Sequence, residues 1–150
     1  MDRRHLLRLA GAGCGLLAGC LDERSDAPPS PTAPASDDTP SVTGTTFDAI
    51  ETTCGSGDDA ASVSVGPHVA VAGTIGGDDA CHTAALAGAP YDPGRDRLTV
   101  RVRSYAPDAS RACAQCLVDI DYEATVRFAG GLPGTVVVEH GGRRVRRVER

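Results

Sequence analysis

The chain reads as an all-β protein, an antiparallel β-sandwich with immunoglobulin-like or Greek-key connections, and three observations carry that reading. Apolar and polar residues alternate over most of its second half, turn residues separate the alternating runs, and no segment offers an amphipathic helical stripe with caps. The longest run interleaves Val118, Ile120, Tyr122, Ala124, Val126 and Phe128 with Asp119, Asp121, Glu123, Thr125 and Arg127. A period of two places the first set on one face of a strand and the charges on the other. Short strands of this kind also suit a small barrel, which is the alternative architecture.

The elements follow in order. Strands are expected over residues 46–53, 62–65, 69–75, 82–86, 98–103, 118–128, 135–139 and 143–148. In the fifth of these, Leu98, Val100 and Val102 alternate with Thr99, Arg101 and Arg103, the pattern of a half-buried strand. Asp92-Pro93-Gly94-Arg95 joins a preset φ at proline to a permissive glycine, and Gly130-Gly131-Leu132-Pro133-Gly134 separates two strands. His140-Gly141-Gly142 suits a tight hairpin. Tryptophan is absent and only Phe47, Tyr91, Tyr105, Tyr122 and Phe128 are aromatic, so valine and alanine must fill most of the core. A core of small side chains gains less per residue and benefits from covalent staples.

The first 45 residues have a different character. A basic start at Arg3, Arg4 and Arg8 precedes a Leu/Ala/Gly stretch that runs to Gly19. That stretch is too short to span a bilayer, which takes about 20 apolar residues, and it has the order of parts of an export signal. Asp2-Arg3-Arg4-His5-Leu6-Leu7-Arg8 resembles a twin-arginine motif, and Leu17-Ala18-Gly19-Cys20 resembles a lipobox. In bacterial-type lipoproteins the lipobox cysteine is lipidated and becomes the first mature residue, so the resemblance implies that role for Cys20. Cys14 competes poorly, because Gly11 stands where a lipobox has leucine. From Leu21 to Thr45 the chain is Pro, Ser, Thr, Ala and Asp with little apolar surface, the composition of a tether. The expected organisation is a leader over 1–19, a lipidated start and linker over 20–45, and a β-sandwich over 46–150.

The formal net charge is −5, and removing the leader, with Arg3, Arg4 and Arg8 against Asp2, makes the rest more acidic. Arginine is the only basic residue apart from histidine, since lysine is absent. This composition resembles that of proteins from halophilic archaea. Acidity disfavours nucleic acid as a partner. Gly73-Thr74-Ile75-Gly76, Cys81-His82-Thr83-Ala84, Tyr91-Asp92, Cys113-Ala114-Gln115-Cys116, Ile120-Asp121-Tyr122-Glu123 and Gly130-Gly131-Leu132-Pro133 are similar to segments of a family of small secreted haloarchaeal lipoproteins. The resemblance covers most of the folded domain. It implies an outward-facing, membrane-anchored protein and assigns no reaction, cofactor or catalytic residue.

Four cysteines follow Cys20, namely Cys54, Cys81, Cys113 and Cys116. In an exported chain an even set is first a disulfide framework. Three pairings exist, and those linking Cys54 and Cys81 to the 113/116 pair are favoured over a strained local bridge. The rival reading takes Cys113-Ala114-Gln115-Cys116 as a redox pair, although a β-run rather than the helix of thioredoxin-like proteins follows it. Zinc on the four cysteines, or on cysteines with His82, is a further rival, but structural zinc usually needs two close pairs.

Other candidates carry less. Gly57-Asp58-Asp59-Ala60 and Gly77-Asp78-Asp79-Ala80 could share a cation if they converged, and otherwise are solvated turns. Asp119, Asp121 and Glu123 alternate onto the solvent face. His68, His82 and His140 are scattered, and neither a nucleophile elbow nor a phosphate loop is present. Arg143, Arg144, Arg146, Arg147 and Arg150 suit an edge strand that resists pairing; the other reading is contact with anionic headgroups or an acidic envelope partner. The expectation is a non-enzymatic surface module without cofactor or metal. It would bind an undefined ligand or a cell-surface protein from its membrane anchor.

Overall fold

The structure, a computed structural model, describes residues 39–150. The expected leader with Arg3 and Arg4, the anchor Cys20 and the tether up to residue 38 lie outside the described residues. Among the described residues there are nine strands: β1 (Ser41–Cys54), β2 (Ala60–Val65), β3 (Val69–Gly77), β4 (Thr83–Gly88), β5 (Tyr91–Asp92), β6 (Arg97–Tyr105), β7 (Val118–Ala129), β8 (Thr135–His140) and β9 (Arg143–Glu149). No helix occurs among the described residues. Two open sheets pack face to face, ordered β1-β7-β3-β2 and β4-β6-β8-β9, with β5 also on β6. This is the expected sandwich, and its sheets do not close into a barrel.

All pairings are antiparallel except β6 with β8, which run parallel with Leu98 opposite Val136 and Val100 opposite Val138. The connectivity explains the exception. Parallel neighbours need a crossover, and here β7 supplies it by leaving the second sheet for the first before β8 returns beside β6.

The alternation of β7 drives the core. Val118, Ile120, Tyr122, Ala124 and Val126 are buried, facing Leu98, Val100 and Val102 of β6 and Val136 and Val138 of β8 within one cluster. Valine fills most of it. The few aromatics pair up inside: Phe47 stacks on Tyr122 at 5.4 Å between ring centroids, and Tyr91 meets the edge of Phe128 at 5.7 Å. Gly73 makes room for this arrangement, since a Cβ there would lie 2.6 Å from the Tyr122 hydroxyl.

Strand β1 corrects the expected domain boundary. The linker composition extends through Thr45, but Ser41–Cys54 is one strand, with Ser41 opposite Ala129 and Thr45 opposite Val126. The β-branched Val42, Thr43, Thr45 and Thr46 suit an extended strand, and Pro40 stands just outside it, where a missing N–H costs no ladder bond. The β8–β9 hairpin follows its glycines: Gly141 and Gly142 have φ of 56° and 84°, the two left-handed residues of a type I′ turn.

Candidate functional site

Four polar side chains from both sheets meet at one end of the sandwich. Tyr122 comes from the middle of β7, Asp59 from the residue before β2, His140 from the end of β8 and Arg143 from the start of β9. The Tyr122 hydroxyl lies 2.7 Å from His140 Nε2, and His140 Nδ1 lies 2.9 Å from Asp59 Oδ1. Arg143 donates to Asp59 Oδ2 at 2.5 Å, and the Gly76 amide to Asp59 Oδ1 at 3.4 Å. For a neutral imidazole these partners assign the tautomer: Nδ1–H donates to Asp59, and Nε2 accepts the Tyr122 proton. The His140 side chain is 2 % exposed and that of Asp59 19 %.

Local structure aims each group. His140 continues the inward series Val136, Val138 on β8, so the strand period carries it to the inner face. Asp59 ends a loop fixed by Asp119, whose carboxylate accepts the amides of Gly57 at 2.8 Å and Asp58 at 3.2 Å. Asp119 is therefore more than the solvated residue its alternation implied. Asp121 and Glu123 do face solvent, with Asp121 accepting the Thr74 hydroxyl at 2.6 Å.

Electrostatics hold this cluster together as a clasp between the two sheets. Burial pushes the Asp59 carboxyl up, but the hydrogen bonds from His140, Gly76 and Arg143 and the nearby imidazole outweigh it, leaving a net position below the ordinary value of 3.8. Burial, followed by the Asp59 charge, pushes the Tyr122 phenol well above the ordinary 10.0. It stays protonated at neutral pH. Both imidazole nitrogens are engaged within the cluster, which ties β8 to β7 and to the loop that carries Asp59. The adjoining cleft, about 210 Å³, is bordered by Ile75, Gly76, Arg103 and Ser104 beside the Asp59–His140 pair.

A pH dependence follows. The folded Asp59 carboxyl titrates lower than the unfolded one, so its contribution is complete above the unfolded value near 3.8 and is lost as pH falls through the folded value. Thermal unfolding followed by circular dichroism from neutral to acidic pH should show a smaller acid-side loss in Asp59→Asn than in the parent chain. Equal losses would remove Asp59 from the acid response.

The cysteines form a second cluster. Cys54 at the end of β1 bridges to Cys116 just before β7, with Cα atoms 5.7 Å apart, and Cys81 after β3 bridges to Cys113 at 5.6 Å. Both bridges are non-local, spanning 62 and 32 residues. Cys113 and Cys116 are thus partners of remote cysteines and not of one another. Backbone bonds from Gly55 to Leu117 at 2.9 Å and from Ala80 to Ala114 at 3.1 Å run beside the bridges.

The two Asp-Asp turns do not converge on a common centre. Asp59 serves His140, whereas Asp79 accepts from His82 Nδ1 and the Cys81 amide, each at 2.9 Å. Those bonds, His82 foremost, hold the Asp79 carboxyl below its ordinary value. Asp79, Cys81 and Cys113 have donor atoms within 4.8 Å of one another. Both sulfurs are in the bridge, so the group lacks the thiolates that a soft metal takes. His68 joins neither cluster.

Sequence reasoning missed the clasp. It treated His140 as one of three scattered histidines, although its place two residues after Val138 was the available signal. No protein-family model, curated protein or solved structure matches the chain.

Proposed function

We propose that this chain is an exported, lipid-anchored module that binds or organises partners at the outer face of the cell membrane, held together by its disulfides. The observation that carries the reading is the cysteine economy. All four cysteines after Cys20 are joined in two non-local bridges, and Cys20 alone sits behind Leu17-Ala18-Gly19. Paired cysteines of this kind suit an oxidising compartment. A two-chain lipid at Cys20 would retain the protein without help from its surface, whereas one chain holds only marginally.

The rival, a redox or metal-handling protein working through Cys113 and Cys116, needs those sulfurs as a mutual dithiol or as thiolates. Their separate bridges to Cys116's partner Cys54 and to Cys81 speak against it.

Membrane fractionation of the full chain in an export-competent host tests the proposal. The parent protein should sediment with membranes and carry lipid mass at its new N-terminus, and Cys20→Ala should shift it to the soluble or unprocessed pool. An unchanged membrane fraction in Cys20→Ala would refute the anchor.

A further inference from the structure

The outer faces of the sandwich carry opposite charge. On the first sheet, the register sets Asp48 opposite Glu123 and Glu51 opposite Asp121. All four are exposed, and among the described residues no salt bridge engages any of them. Arg127 stands farther along the same face, opposite Gly44; around the two acid pairs, like charges directly across the strands repel, so that part of the face gains from a cationic neighbour. Small outward residues of β2 and β3, among them Ser62, Ser64, Ala70 and Ala72, leave a hollow of about 330 Å³ against Glu123. A second, of about 310 Å³, opens between Asp121 and the exposed Ile50.

The second sheet is the complement. Arg101 and Arg103 alternate outward from the buried Val100 and Val102 of β6. Arg144 joins the same face through its register with Glu139, which itself lies opposite Arg101, and Arg147 joins it opposite Val137. The Arg103 guanidinium lies 4.8 Å above the Tyr105 ring, laid along the face. Glu139 and Glu149 pair with Arg101 and Arg147, leaving Arg103 and Arg144 outside the salt bridges of the described residues.

We propose that the acidic outer face of the first sheet docks onto the arginine-bearing outer face of the second sheet of another copy of this chain. Four carboxylates on one face meet an arginine face on which Arg103 and Arg144 stand outside the salt bridges of the described residues and Arg101 and Arg147 share theirs with Glu139 and Glu149. The hollows beside Glu123 and Asp121 give long arginine side chains room to reach those acids. Guanidinium is suited to such contacts because its planar fork can grip a carboxylate with two bonds. The two faces differ, so the contact is head-to-tail and repeats into a row or a closed ring. It deepens the binding-module reading by naming the partner, and it does not depend on lipid at Cys20.

Sedimentation velocity of the full chain carrying Cys20→Ser tests this over the salt range in which circular dichroism shows the sheets intact. The chain should associate with rising concentration and less so with added salt, since screening shortens the reach of surface charge. Asp121→Arg with Glu123→Arg, and separately Arg101→Glu with Arg103→Glu, should each weaken association by about tenfold or more. An equimolar mixture of the two swapped chains should restore it. If a swapped chain fails to fold, the milder Asp121→Asn with Glu123→Gln and Arg101→Gln with Arg103→Gln should weaken association in the same direction. A chain monomeric at every concentration, association indifferent to these changes, or no rescue on mixing would overturn the proposal. So would a monomer that binds vesicles of anionic phospholipid through the arginine face, since that would make a membrane the partner. Loss of membrane retention in the fractionation experiment leaves this test unaffected, so the two readings fail separately.

Discussion

Replacing Cys54 and Cys116 together by serine should lower the unfolding free energy by about 4 kcal/mol. The estimate follows from loop entropy: a bridge across 62 residues removes more freedom from the unfolded chain than a short one. Such a loss is large beside the ~5–15 kcal/mol that stabilises a typical domain. It matters more here because valine and alanine dominate the core, and small side chains bury less apolar area per residue. Breaking Cys81–Cys113, which closes 32 residues inside the larger loop, should cost somewhat less. Denaturant unfolding without reductant measures both. A loss under about 1 kcal/mol for the longer bridge would mean that the ladder of β1 on β7 holds that end unaided.

His140→Leu should destabilise the fold by about 2–4 kcal/mol, because it strips a buried hydroxyl and a carboxylate of their partner at once. Asp59 keeps Arg143 and the Gly76 amide, but the Tyr122 hydroxyl is left deep in the core with its acceptor gone. The double change His140→Leu with Tyr122→Phe should recover part of the loss, since removing both polar partners leaves an apolar contact where an orphan stood. A double-mutant cycle reads the coupling directly. Additive losses would mean that the Tyr122–His140 bond contributes nothing of its own.

Much of this fold was legible in the sequence because its strands obey one rule. β7 lies between β1 and β3 with one face in the core, so its alternation is unbroken, and β6 repeats the pattern. Gly141-Gly142 announced their turn because positive φ at both positions favours glycine. What was not legible is non-local. The parallel β6–β8 pair depends on where β7 goes, which no local period records. β5 is two residues, too short to show a period, and β1 was cut at Thr45 because a Ser/Thr-rich exposed edge strand has the composition of a linker.

The site divides the same way. Four cysteines in an exported chain signalled bridges, and a preference for remote partners followed from the strain of a short loop, but the choice between the two remote pairings needed β1 and β7 aligned. Asp59 and His140 are 81 residues apart and meet only when the two sheets close. Asp119 showed the alternation of a surface acid, and its role appeared only where the Gly57 loop folds back over it.

Disulfide mapping by mass spectrometry of the protein isolated without reductant tests the central claim most directly. Peptides should join Cys54 to Cys116 and Cys81 to Cys113, with none of the four sulfurs open to alkylation. A linked Cys113–Cys116 pair, or free thiols holding a metal, would contradict the claim and return the CxxC pair to redox or metal chemistry.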